Sequence, residues 1–353
     1  MRWPRRPRRG AVPAAAVAAL AVLATSAGAA ALEPVRLPRD HGAHPGSSVE
    51  WWYTTGRATT ATGRRSFWFA TIWVSPLGSV GRVNVVDLAR DKVVLAEQWT
   101  QPARPASGAL DLAAGDLHIR RRAAGRFGHL SVDARVDAGD RLQLELVPRR
   151  PYALHGDHGI VRQGATASSA YYSSTRLATS GRLTLNGRTR QISGLAWFDH
   201  QWGDFATIPG ALRWDWFACQ LDDGRDLMLT QFLDAAGRPV PGARHGTLVS
   251  ARGRATAIAD FTATPAGPVI QPRGAKATYP LGWRLTVPGA GIELSLRAAA
   301  RNQFVPMRIL PSFWEGAAEI VRGQPGACTV ESVREAPAGG VAAAQGGVTG
   351  SPP

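Results

Sequence analysis

From Glu50 onward the chain is a succession of short runs rich in Val, Thr, Trp, Phe and Leu, each closed by Gly, Asp or Asn. That rhythm leaves little for it to fold into except antiparallel sheet. EWWYTTGR, a TATGR turn and SFWFATIWV form one such succession. In GRLTLNGRTRQISG the Asn186–Gly187 pair predicts a two-residue hairpin turn, and RWDWFACQLDDGRDLMLTQFL turns at Asp222 to Gly224. No stretch carries the period of a long amphipathic helix. The fold class expected is all-β, with strands at the spacing of barrels or sandwiches.

The pattern repeats at a coarser level. Each half opens on a Trp-rich strand, EWWY at Glu50 to Tyr53 and RWDWF at Arg213 to Phe217, followed by a turn and an apolar strand. Two similar β units are expected, residues 32–205 and 206–335, joined near Trp202 to Leu212, where ATIPGAL supplies Pro and Gly. Residues 336–353 lack large apolar side chains and are expected to be disordered.

Residues 1–31 read as a secretory signal peptide: arginines at 2, 5, 6, 8 and 9, an Ala/Val/Leu run from Ala11 to Ala24, then small residues suiting cleavage near Ala29 or Ala31. The run is shorter than the roughly 20 residues that span a bilayer, so no transmembrane segment is expected. The mature chain is expected outside the cytoplasm, secreted or periplasmic. Export or envelope-transport machinery would be its protein partner, with the Sec and twin-arginine routes both open.

Without those arginines the net charge of +15 falls to about +10. Lysine occurs only at Lys92 and Lys276, and the arginines are scattered singly, with no basic run interleaved with aromatics. No nucleic-acid partner is expected. The two cysteines, Cys219 and Cys328, can be a disulfide or two buried thiols.

Ionisable and aromatic side chains gather in four segments: HGAHPGSSVEWWY, GLAWFDHQWGDF, RWDWF and SFWEG. Side chains alternate along a strand, so His200, Trp202 and Asp204 would share a face, with Asp199 on the other. Trp214 and Trp216 would oppose Asp215, and Glu50 and Trp52 would lie together. Twelve tryptophans against ten phenylalanines is a skewed choice for a core alone, since each indole N–H needs a partner. The indoles suit the wall of an apolar ligand site. A metal reading would use His200, Asp199, Asp204, His41 and His44, but neither a two-His helical motif nor a cysteine knuckle is present, so no metal and no cofactor is expected. GSS at Gly46 is not a nucleophile elbow.

In the order HPGSSVEWWYTTG, YYSSTRLATSGRLTLNG, ISGLAWFDHQWGDF, RWDWFACQLDDGRDLMLTQF, YPLGWRLTVPGAGIEL and FWEGAAEI, the sequence resembles the AttH-like and carotenoid 1,2-hydratase (hydroxyneurosporene synthase) family of lipocalin-like proteins, over roughly Pro38 to Val333. The resemblance implies two lipocalin-like β-barrel domains in tandem with a ligand cleft between them. Family members include carotenoid hydratases, relatives linked to pericyclic chemistry, and secreted proteins described only as hydrolases. The family's E-W-W pattern falls on Glu50, Trp51 and Trp52, its W-x-D-x-x-W pattern on Trp197, Asp199 and Trp202, and its W-D-W pattern on Trp214, Asp215 and Trp216. The closing GQPGACTVESVRE departs from the longer glycine-rich and aromatic strand of many relatives.

Two functions follow as expectations. One is a hydratase or isomerase acting on an isoprenoid- or polyketide-like ligand, with Asp199 or Asp215 as a protonated acid, aided by His200. Glu50, Trp51, Trp52, Trp197, Trp202, Trp214, Trp216, Gln231 and Trp314 would be the ligand wall. The other is a non-catalytic carrier or envelope accessory protein. A third reading, a secreted metal-dependent hydrolase, rests on GLAWFDHQWGDF.

Overall fold

A computed structural model describes residues 32–335, apart from residues 77, 103–108, 137–138, 165–166, 206–212 and 309. The signal-peptide, disordered-tail and ATIPGAL-linker readings therefore fall wholly or largely outside the described residues. Within them the chain is antiparallel sheet, with only two single turns of 3-10 helix.

The first sheet contains β1 (Val49–Thr60), β2 (Arg65–Ser75), β3 (Gly78–Asp87), β4 (Lys92–Gln101), β5 (Asp111–Ala114) and β6 (Leu117–Arg122). It continues with β7 (His129–Val136), β8 (Asp140–Pro148), β9 (Ala153–Leu154), β10 (Ile160–Gln163), β11 (Ala167–Leu185) and β12 (Arg188–Gly203). Its order, β4-β3-β2-β1-β12-β11-β8-β7-β6-β5, curls until the two ends meet. There the Gln101 amide donates to the Ala113 carbonyl at 2.8 Å and accepts from the Gly115 N–H at 3.1 Å, nearly closing a barrel.

The second unit contains β13 (Arg213–Leu221), β14 (Asp226–Leu233), β15 (Pro239–Val249), β16 (Ala255–Ile258), β17 (Thr262–Pro265) and β18 (Val269–Ile270). After these come β19 (Tyr279–Pro280), β20 (Gly282–Val287), β21 (Ile292–Ala298), β22 (Phe304–Val305), β23 (Phe313–Arg322) and β24 (Gly326–Val333). Its main sheet runs β16-β15-β14-β13-β24-β23-β21-β20-β17 and curls into a half-barrel. In both units the first strand lies between the second and the last, β1 between β2 and β12, and β13 between β14 and β24. This is the structural form of the EWWY/RWDWF repetition.

Alternation along the strands assigns each residue to a layer. On β12, Phe198, His200 and Trp202 enter the first barrel with Trp52, Trp68 and Tyr172, while Trp197 and Asp199 face outward. A bulge between Ser174 and Leu177 on β11 shifts the phase, so that Tyr172 and Leu177 both point inward. The second core holds Phe217, Leu229, Trp283 and Trp314. Between the two units the outward faces meet in a third layer that includes Tyr53, Phe69, Tyr171, Trp197, Trp216, Met228 and Phe313.

Local chemistry fixes these strands. The β11–β12 hairpin pairs Leu185 with Arg188 across Asn186 and Gly187, whose φ angles of 50° and 72° suit a primed turn. Cys219 and Cys328 lie opposite each other on β13 and β24 and are bonded, tying the first strand of the second unit to its last. A buried clamp fastens the two units together. Asp226 on β14 accepts from Thr175 Oγ1 (2.7 Å) and Arg176 Nη2 (2.6 Å) on β11 and pairs with Arg150 (3.2 Å). The Gln220 amide adds bonds to the Thr175 and Ala196 carbonyls at 2.8 and 2.9 Å.

Candidate functional site

The candidate residues of the sequence separate into three places. Glu50, Trp52, His200 and Trp202 lie inside the first barrel. Asp215, Gln231 and Trp314 belong to the second unit's concave side, and Trp197, Asp199, Trp214 and Trp216 sit between the units. Trp51 lies at the edge of the last group, edge-to-face with Phe205 at 5.1 Å.

The layer between the units carries the most unusual electrostatics. Asp199 is buried at 3% exposure and accepts hydrogen bonds from Trp197 Nε1 (2.6 Å), Tyr171 Oη (2.9 Å) and Ser173 Oγ. Burial pushes its carboxyl up to about 7, against the pull of those three donors. Two more acids share the layer. Glu315 on β23 is fully buried and accepts from the Tyr53 hydroxyl, and burial followed by repulsion from Glu331 pushes it well above the usual carboxylate range. Glu331 on β24 accepts from Trp214 Nε1 at 2.5 Å, and burial raises it to about 7, with Asp199 adding repulsion. Part of Glu331 remains accessible, so Asp199 is the more enclosed of the two acids raised to about 7, a value that leaves about half of it protonated at neutral pH.

Aromatic rings enclose these acids. Trp216 stands edge-on to Trp197 at 6.2 Å and to Tyr53 at 5.5 Å, and its N–H donates to Tyr171 Oη at 3.2 Å. Behind Asp199, Ser173 Oγ lies 2.6 Å from His155 Nε2, and His155 Nδ1 lies 2.8 Å from Thr247 Oγ1 on β15. Burial holds His155 well below its ordinary value, hence neutral. Here serine bridges aspartate and histidine, whereas a hydrolase triad needs histidine in the middle. The chain Asp199–Ser173–His155 suits proton transfer, not nucleophilic attack.

Among the unmatched polar groups facing this layer are His245 and Glu315. Both ring nitrogens of His245 are buried and unbonded, with the ring 6.3 Å from Tyr171, and Glu315 Oε2 is likewise unmatched. Burial keeps His245 down at about 4. Such groups cost free energy unless something bonds them. The gap beside Trp197, lined by Thr55, Leu195, Ala218 and Gln220 among others, is about 10 Å³, room for about one water.

A larger cavity of about 500 Å³ opens elsewhere, lined by Arg213, Val269, Lys276, Pro280 and Arg334 among others. Three cations on its wall would oppose a developing positive charge. Asp215 is bonded by Arg334 Nη2 and Ser332 Oγ, each at 2.6 Å, and by Gln231 Nε2 at 3.2 Å. It is an ion-paired carboxylate facing away from Asp199. Trp314 is core, 5.6 Å from Trp283, with its N–H on the Arg301 carbonyl at 3.2 Å.

Inside the first barrel, Glu50 Oε1 lies 2.8 Å from both His200 Nε2 and His44 Nδ1, and Glu50 Oε2 accepts the His44 backbone N–H at 2.9 Å. Trp52 stacks on His200 at 4.5 Å and Trp202 on His44 at 3.9 Å. The structure thus unites His44 and His200 but not Asp199 or Asp204. Asp204 is exposed beyond the end of β12 and takes the Ser48 N–H at 2.9 Å. His41 instead meets Tyr172 Oη at 2.7 Å.

Sequence reasoning missed Tyr53, Tyr171, Ser173, His155, His245, Glu315 and Glu331 as members of one site. The available signal was period-2 alternation: Tyr53 follows Trp52, and Tyr171 precedes Tyr172, each pair splitting between barrel interior and outer face.

Two curled antiparallel sheets packed back to back, with acids and indoles between them, define a class of tandem-barrel proteins. Within it, this chain belongs to the AttH-like family, whose model spans residues 29–331. An AttH-like protein from Nitrosomonas europaea is similar at 26% identity, covering 87% of this chain and 98% of its own, with a TM-score of 0.78. Kievitone hydratase from Nectria haematococca shares the fold at 19% identity, covering 86% of this chain and 94% of its own, with a TM-score of 0.70. No curated protein sequence matches.

Proposed function

We propose that this chain binds an apolar isoprenoid- or polyketide-like molecule between its two units and that Asp199 gives it a proton, so that water adds to a double bond or the bond migrates. The observation that carries this reading is a carboxyl raised to about 7, buried among indoles and phenols. Protonating an isolated alkene needs a neutral acid held in an apolar surround. The alkene π pair takes the Asp199 proton, leaving a carboxylate and a carbocation. The faces of Trp197 and Trp216 stabilise that cation. Water then attacks and releases a proton, or a neighbouring C–H releases one to form the shifted alkene. Ser173 and neutral His155 carry a proton back to Asp199. The unmatched His245 nitrogens and Glu315 Oε2 would receive a hydroxyl or carbonyl group of the ligand. The protein described as kievitone hydratase shares this fold and by its name performs a hydration, which is compatible with the reading. The buried Cys219–Cys328 bond supports an oxidising, extracytoplasmic setting.

Entry requires the aromatic layer to part, since the gap beside Trp197 is only about 10 Å³. Native mass spectrometry with a panel of isoprenoid and polyketide alkenes tests the placement. An adduct should form with wild type, persist in Asp199→Asn and disappear in Trp216→Ala. Adducts surviving both Trp216→Ala and Trp197→Ala would put the ligand elsewhere. An adduct without product would leave a carrier.

A further inference from the structure

Within the first barrel, His200 Nδ1 lies 3.1 Å from the backbone carbonyl oxygen of Asp40, with the geometry of a donated hydrogen bond. A carbonyl oxygen only accepts, so this nitrogen carries the proton. A neutral His200 then points the bare lone pair of Nε2 at Glu50 Oε1, 2.8 Å away. Two lone pairs do not face each other at that distance unless something positive lies between them.

We infer that His44, Glu50 and His200 form a binding site for one divalent transition-metal ion of the zinc class. His44 Nδ1, a Glu50 oxygen and His200 Nε2 lie within 4.8 Å of one another. Two imidazoles and a carboxylate are the donor set of open zinc and related sites, which keep one position for water or substrate. Bonds of about 2.0–2.1 Å would hold the donors about 3.3 Å apart, so the 2.8 Å contacts must open by about half an ångström.

The surroundings match what such a site needs. A ligating histidine usually fixes its other ring nitrogen on a carbonyl or carboxylate. Asp40 serves both: its carbonyl takes His200 Nδ1, and its carboxylate lies 3.8 Å from His44 Nε2. Arg39 Nε and the Arg36 N–H, at 2.5 and 2.7 Å, anchor that carboxylate. The stacked Trp52 and Trp202 make dry walls. His44, with 23% of its side chain exposed, gives an entry path where Glu50 and His200 have none.

The test uses tag-free protein stripped by a chelator and titrated with zinc. Wild type should take up one equivalent per chain and release protons as it does so. His44→Gln, the least buried substitution, should weaken uptake by about 100-fold or more, while His118→Gln on β6, outside both sites, should match wild type. X-ray absorption at the zinc edge of the wild-type complex needs no variant and should show two imidazoles with oxygen ligands. No uptake by wild type, uptake unchanged in His44→Gln, or a spectrum without imidazole would each overturn the site. None of these outcomes bears on the acid between the units, whose tests vary Asp199, Trp197 and Trp216.

Discussion

Replacing Asp199 by asparagine should make the protein more stable at neutral and alkaline pH and leave it little changed below about pH 4. Asparagine fits the site as the neutral acid does. Its Oδ1 can accept from Trp197 and Ser173, and its Nδ2 can donate to Tyr171 Oη, whose hydroxyl turns to allow it. In the folded state the Asp199 carboxyl titrates near 7, and in the unfolded chain near 3.8. Between those values the folded chain keeps a proton that the unfolded chain has lost, so wild-type stability falls as pH rises, by up to about 1.4 kcal/mol per pH unit. Below pH 4 both states are protonated and nothing is lost; above pH 7 the full penalty is present. From pH 5 to pH 8 the variant should gain about 3 kcal/mol on wild type. Glu315, Glu331 and the buried histidines titrate in both proteins, so the difference reports Asp199 together with its repulsion of Glu315 and Glu331. Urea unfolding at the two pH values reads it directly. A gap between variant and wild type that stays constant from pH 5 to pH 8 would refute the raised acid.

Other consequences are as open to measurement. Replacing both Cys219 and Cys328 by serine frees strands 109 residues apart and should cost about 2–5 kcal/mol, seen as a lower unfolding midpoint that reductant no longer changes. Asp226→Ala leaves Arg150 and Arg176 without their buried carboxylate and should cost about 3–5 kcal/mol; a loss under 1 kcal/mol would mean that the clamp between the units is dispensable. Tyr53→Phe removes a donor to Glu315, whose other oxygen is already unmatched, and should cost about 1–3 kcal/mol at neutral pH by the same urea assay.

Much of this arrangement can be read in the sequence because strands report their faces. GLAWFDHQWGDF places Asp199 and His200 on opposite sides, and the structure puts one between the units and the other inside a barrel. The EWWY and RWDWF openings likewise foretell two units with the same strand neighbours. What one strand cannot report is its partner. Glu315 and Glu331 meet the Asp199 layer only because β23 and β24 return beside β13, a consequence of topology more than a hundred residues away in the chain. Trp52, Trp202 and Trp314, expected on a ligand wall, lie in cores because alternation gives two faces without saying which is enclosed. Nor does composition separate Asp215 from Asp199. Arg334, at the far end of the second unit, turns the first into an ion pair, and nothing in RWDWF announces it.

The proposed role of Asp199 as proton donor to an apolar ligand is tested most directly by deuterium transfer. Wild type incubated with the alkene panel in D2O, and the products analysed by mass spectrometry, should give at least one hydrated or isomerised product with deuterium on carbon. Asp199→Asn should form none, and Asp215→Asn should form as much as wild type. Deuterated product made equally well by Asp199→Asn would contradict the account.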